Sequence, residues 1–170
     1  FAGIGAGVSA VPGKIIPLIV IAFSGYANFV IAGYFKDIEA DRQTGYNTFP
    51  VVFGRLRASV VSDAFAVAAV IGLTVHLYSV RATWSSAWDV VPSMALSAWG
   101  IAVSVRAQVL LHGNTDDRSA HAPIRHVVES YIILLSAAIV AMHPWWTAPL
   151  LLFYGAFQLV LRYRTEVSQI

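Results

Sequence analysis

Apolar runs of about 20 residues, separated by short polar breaks, constrain the fold of this chain more than any other feature it has. As helix, each run extends about 30 Å, the thickness of a bilayer's hydrocarbon core. A chain crossing that core must satisfy every backbone N–H and C=O internally, which leaves helices or a closed barrel. The residue-by-residue alternation of barrel strands is missing, so helices are expected. The runs fall at about 1–11, 15–35, 58–79, 89–111, 126–142 and 146–163. With 58% hydrophobic and 12% charged residues, the chain is more apolar than a soluble domain. The expected fold class is all-α: a multi-pass transmembrane helical bundle over 1–170, in one domain and without internal repeats.

Residues 1–11 are small and apolar, with no charged leader of the kind a signal peptide carries. They read as the tail of a helix that begins upstream, which makes the chain the N-terminally truncated, C-terminal part of a longer bundle. Pro12-Gly13-Lys14 marks a turn into the next run. Pro17 sits in the first turn of that run, where a missing N–H costs little. Ser24, Gly25, Asn28 and Gly33 then suit close packing against other helices. The absence of cysteine excludes disulfides and thiolate metal sites. A net charge of +2 reflects topology in a membrane chain, and no nucleic-acid signature accompanies it.

Counts of Lys and Arg alternate between successive breaks, as the excess of positive charge in cytoplasmic loops predicts. Lys14 stands alone before the second run, whereas Lys36, Arg42, Arg55 and Arg57 follow it. The next break holds only Arg81, the one at 112–125 holds Arg118 and Arg125, and the link at 143–145 holds none. The segment 36–57, the 112–125 break and the C-terminus are therefore expected on the cytoplasmic side. Trp84, Trp88, Trp145 and Trp146 mark the opposite ends, where amphipathic rings favour the interface.

The densest chemistry lies just past the second run, where Asp37, Glu39 and Asp41 place three of the nine acidic residues within five positions. If the helix continues through them, Asp37 and Asp41 at i, i+4 share one face and Glu39 points away. Two carboxylates that close repel unless a proton or cation lies between them, and a hard divalent cation such as Mg2+ suits the pair. The bland alternative is a solvated helix end. On the same wheel Tyr26, Val30 and Tyr34 fall on the aspartate face, which makes Tyr26 and Tyr34 candidate walls of a substrate cavity. Lys36 and Arg42, with Arg55 and Arg57, form a basic rim suited to diphosphate oxygens, although juxtamembrane loops are basic for topological reasons too. Asn28, about half a turn away from the acids, is expected to bond between helices. Glu129 has Arg125 at i−4, and Asp63 sits at the positive end of its helix. The five histidines show no metal-ligand spacing, and Asn114-Thr115-Asp116-Asp117 reads as a solvated turn.

Lys36-Asp37-Ile38-Glu39-Ala40-Asp41-Arg42, then Gly45, Asn47-Thr48 and Phe49-Pro50-Val51-Val52-Phe53-Gly54, resembles the second aspartate motif of the UbiA-type intramembrane prenyltransferases. The form D-x-E-x-D-R followed by G, a Thr or Ser, then L-P-V-x-F-G is similar to the branch containing chlorophyll synthases and archaeal ether-lipid prenyltransferases. The resemblance implies a bundle of about nine helices in which two aspartate motifs hold magnesium and an isoprenyl diphosphate. By it, Asp37 and Asp41 are metal-binding, catalytic acids and Lys36 and Arg42 bind diphosphate. The implied reaction transfers a polyprenyl group to a lipophilic acceptor, aromatic or lipid, within the bilayer. The family's first motif, N-x-x-x-D-x-x-x-D, occurs nowhere in residues 1–170, so the segment alone is expected to be inactive. The competing expectations are a transporter or channel subunit whose acidic pair binds a cation, and a catalytically dead relative.

Overall fold

A computed structural model of the protein describes residues 15–163, and every regular element among them is helical. The order is α1 (Ile15–Gly33), α2 (Ile38–Thr44), α3 (Phe49–Phe53), α4 (Arg55–Val80), α5 (Ala87–His112), α6 (His121–Met142) and α7 (Thr147–Tyr163). Single 3-10 turns precede α2, α6 and α7 and follow α4. Four helices, α1, α4, α5 and α6, are long and apolar enough to cross a membrane. The run expected at 146–163 is helical, but its 17 residues reach only about 25 Å, and none of them is buried. The run expected at 1–11 lies outside the described residues.

The inward faces of the spans are lined by small residues. Along α4 the buried positions Ala58, Ser62, Ala66, Ala69, Leu73, His76 and Val80 recur every three or four residues, one stripe of a helix. Ser93, Ser97, Gly100, Ser104, Ala107 and Leu111 do the same on α5. Large side chains such as Val67, Ile71 and Val75 point outward. In lipid this inversion is stable, because tails solvate Val and Ile as well as a protein core does, and association depends on how closely backbones approach. Gly25 shows the demand: a Cβ there would lie 2.2 Å from Tyr131 Cδ2 on α6.

Helix α6 occupies the centre and touches α1, α4, α5 and α7. Two apolar clusters sit along it. One joins Ile21, Leu73, Leu96, Ile133 and Leu134, and the other joins Phe35, Ala58, Ala107, Leu111 and Val127. At one end of the bundle Trp84 Nε1 donates to Ala141 O (2.9 Å) and the Trp145 and Trp146 rings stack 4.9 Å apart. There Ser86 and Asp89 form a capping box that starts α5. At the other end the 34–54 segment meets the break between α5 and α6. We refer to these as the tryptophan end and the acidic end.

Candidate functional site at the acidic end

The helix carrying the apolar run does not continue through the acids as expected. It closes at Gly33, passes through the 3-10 turn Tyr34–Lys36, and restarts as α2 after Asp37, whose φ of −121° and ψ of 12° are not helical. The i, i+4 relation nevertheless survives locally, since Asp41 N donates to Asp37 O at 2.8 Å. Phe35 and Ile38, both buried, pin the segment on either side of the break. Between and beyond these anchors, Asp37 and Asp41 remain half-exposed.

The expected divergence of Glu39 is present. Its carboxylate accepts from Arg42 Nη1 (2.9 Å) and Gln43 Nε2 (3.2 Å), whereas Asp41 Oδ2 accepts from Thr48 Oγ1 (3.0 Å) across the following turn. Gly45 ends α2 in the left-handed region (φ 78°), so that its own N–H and that of Tyr46 turn back onto Arg42 O and Asp41 O. The result is a short, doubly terminated helix. The stretch expected as loop between 36 and 57 thus contains two helices, and α4 begins at Arg55 rather than near 58.

The basic rim divides in two. Lys36 Nζ lies 3.6 Å from Asp37 Oδ2 with the two side chains 43% and 50% exposed, and Arg42 pairs with Glu39 at equal exposure. Such exposed pairs are worth about 0–1 kcal/mol, so both cations can turn to a more highly charged partner at little cost. Arg55 is different. It donates to Asn114 Oδ1, to Asp117 Oδ1 and, at 3.5 Å, to Phe35 O. It belongs to the scaffold and leaves the candidate rim. Its partners correct part of another expectation: Asn114 is buried and Asp117 half-buried against the acidic segment, while Thr115 and Asp116 of the same turn are exposed as expected.

Of the candidate walls, Tyr34 is half-buried in the 3-10 turn, but Tyr26 is 59% exposed on the outer face of α1. The break at Gly33 removes the common helical face that would have put Tyr26 with the acids. A small internal cavity of about 10 Å³ opens instead between Ile21, Gly25, Asn28, Ser104, Ser130 and Tyr131, away from Asp37 and Asp41. That is about the room one water molecule needs.

Other polar residues explain themselves by their partners. Asn28 Oδ1 meets Ser62 Oγ from α4 and Gln108 Nε2 from α5 (3.5 Å), the interhelical role expected of it. Ser62 Oγ also lies 2.9 Å from Gln108 Oε1, and its one proton serves one of these acceptors at a time. Asp63 accepts from His112 Nε2 at 2.7 Å, a pairing between helices that spacing could not have shown. Glu129 is paired with Arg125 as expected, and also with His126 and with Gln158 from α7.

A magnesium ion takes one or two carboxylates and completes its shell with waters and substrate phosphates. Asp37 and Asp41, hard oxygen donors with one side-chain partner each and water on one side, fit that donor chemistry. Among the described residues no group of three or more His, Cys, Asp or Glu side chains assembles, so the pair does not constitute an all-protein cage. In comparisons with protein-family profiles, curated proteins and solved structures, no match to this chain was found.

Proposed function

We propose that this chain carries part of the active site of an intramembrane prenyltransferase of the UbiA type, acting on an isoprenyl diphosphate and a lipophilic acceptor. The observation that carries this reading is the acidic segment itself. It puts two half-exposed carboxylates one helical turn apart, next to two weakly committed cations, at the end of a membrane-spanning helix. The arrangement suits a ligand that is anionic at its head and apolar along its tail. Asp37 and Asp41 would hold Mg2+, which when bound supplies charge compensation to a diphosphate leaving group. Lys36 and Arg42 donate hydrogen bonds to diphosphate oxygens, Arg42 by exchanging Glu39 for the ligand. The adjoining apolar helix surfaces solvate the prenyl chain. The acidic end faces the cytoplasm, in keeping with the alternating Lys and Arg counts.

The test is transfer from a labelled prenyl diphosphate by the full-length protein that contains this segment, in its native membrane, with and without chelator, against aromatic and lipid acceptors. Asp37→Ala and Asp41→Ala should each lower transfer by at least about 10²-fold, as expected when a group that stabilises developing charge is removed. Asp37→Asn, similar in shape but uncharged, should be nearly as impaired. Arg42→Ala should act mainly through KM for the diphosphate. Undiminished transfer in both alanine variants would remove the assignment, and cation flux without transfer would favour a transporter. Cysteines at Thr44 and Ser86 should label from opposite sides of the membrane.

A further inference from the structure

The break between α5 and α6 contributes to the acidic segment through a single ion pair. Arg55, the first residue of α4, gives one guanidinium nitrogen to Asp117 Oδ1 and the other to Asn114 Oδ1 and Phe35 O. Asp117 uses its second oxygen, Oδ2, to accept the backbone N–H of Glu39 at 2.8 Å. Phe35 C=O and Glu39 N–H stand two residues before and two residues after Asp37. One Arg–Asp pair, supplied by two other parts of the chain, therefore holds the backbone after the residue where the helix breaks by a 2.8 Å bond and meets it before that residue in a longer 3.5 Å contact.

The grip is stiff from behind. Asn114 Nδ2 donates to Asp116 O (2.9 Å) and Ser119 Oγ (2.7 Å), and Asp116 Oδ1 accepts from Ser119 N (2.8 Å), so the turn that presents Asp117 is braced by its own side chains. Arg55 and Asp117 are only 26% and 22% exposed, well below the Lys36 and Arg42 pairs. Water screens them less, and each has a further partner that limits its rotation, Asn114 Oδ1 for Arg55 and the Glu39 N–H for Asp117. The Asp37 side chain, before α2, makes no capping bond of its own.

We propose that Arg55 and Asp117 are positioning residues that fix the backbone at Asp37, and with it the Asp37–Asp41 pair, so that the α5–α6 turn is part of the metal and diphosphate site. The inference rests on the prenyltransferase reading for its chemical consequence, and on the hydrogen bonds alone for the clamp. Arg55 acts through Asp37 and does not itself meet the ligand.

Hydrogen exchange in the detergent-solubilised protein reads the clamp directly. Asp117→Ala should speed exchange in residues 38–44 by roughly tenfold, the cost of one charge-assisted bond, while residues 127–140 of α6 stay as in the wild type. Arg55→Ala should do the same. Asp117→Asn keeps one acceptor and should fall between, which also decides the matter if an alanine variant unfolds and exchanges throughout. In the transfer assay, Asp117→Ala should raise the Mg2+ midpoint by about 10–100-fold, with a smaller change in KM for the acceptor. Unchanged exchange at 38–44 in both Asp117 variants overturns the clamp. A raised KM for diphosphate in Arg55→Ala, with exchange unchanged, overturns it in favour of direct phosphate binding. A full-length wild type that shows no transfer overturns the proposed activity, whereas faster exchange at 38–44 in that case still supports the clamp.

Discussion

Glu129 and the Asp37–Asp41 pair are both acids placed by membrane helices, yet their surroundings are opposite. Glu129 is 5% exposed, and its two oxygens accept from Arg125 Nε (2.9 Å), Gln158 Nε2 (2.9 Å) and His126 Nδ1 (2.8 Å). Asp37 and Asp41 have one side-chain partner apiece and remain half in solvent. A carboxylate inside an apolar bundle is tolerated only when it is paired and hydrogen-bonded, because an unpaired charge there costs several kcal/mol. At the bundle's end water serves as a partner that a ligand can displace. The well-paired acid links helices, and the other two keep acceptor capacity open to solvent.

The contrast breaks most visibly in stability. Glu129→Ala takes the shared acceptor from Arg125 Nε, His126 Nδ1 and Gln158 Nε2, and should cost about 2–3 kcal/mol in a thermal or denaturant midpoint measured in detergent. Asp37→Ala and Asp41→Ala should stay within about 0.5 kcal/mol of wild type while losing transfer. Similar stability losses at the two places would erase the comparison. The packing beside Glu129 should be nearly as sensitive. Gly25→Ala drives a methyl into the Tyr131 ring, two residues along α6, and should cost about 1–3 kcal/mol by the same measurement.

Gln158→Ala tests how much of the Glu129 cluster holds α7. That helix has no buried residue, and Gln158 makes two of its polar bonds to α6, to Arg125 (2.6 Å) and Glu129 (2.9 Å). A loss of about 1–2 kcal/mol is expected, with proteolytic cleavage of 147–163 rising before that of α6. The smallest change probes the solvent-open side. Thr48→Val removes the hydroxyl that donates to Asp41 Oδ2 and should cost about 1 kcal/mol of positioning, seen as roughly fivefold weaker transfer with stability nearly unchanged. A Thr48→Val variant that is destabilised like Glu129→Ala would show that Asp41 is a structural acid after all.

Local spacing carried some of these relations. Arg125 and Glu129 meet because i, i+4 neighbours on a helix must, and Gly45 ends α2 because the left-handed conformation suits a residue without a Cβ. Lengths of apolar runs placed four spans for the same kind of reason: rise per residue and bilayer thickness are both constants. The i, i+4 register of Asp37 and Asp41 also survived, although the helix that was expected to carry it is broken.

The break itself was not legible. Apolar periodicity extends past Gly33, and only the burial of Phe35 and Ile38 with the grip on Phe35 O and Glu39 N makes a turn cheaper than continued helix. Asp117 was read as solvated for a related reason. The self-bracing of Asp116 with Ser119 was a local signal that 114–117 is an ordered turn, but its partner lies 62 residues away, and no local pattern encodes that distance. His112 and Asp63, and Ser62 with Asn28 and Gln108, were hidden in the same way. The sequence by itself determined which segments are helices long and apolar enough to cross lipid and that a pair of acids follows the first of those described, since backbone geometry and hydrophobicity act within a few residues. Which acids are well paired, which cations are committed and what holds Asp37 in place were decided by helices brought together in the bundle, because hydrogen-bond partners between helices depend on approach in space rather than on spacing along the chain.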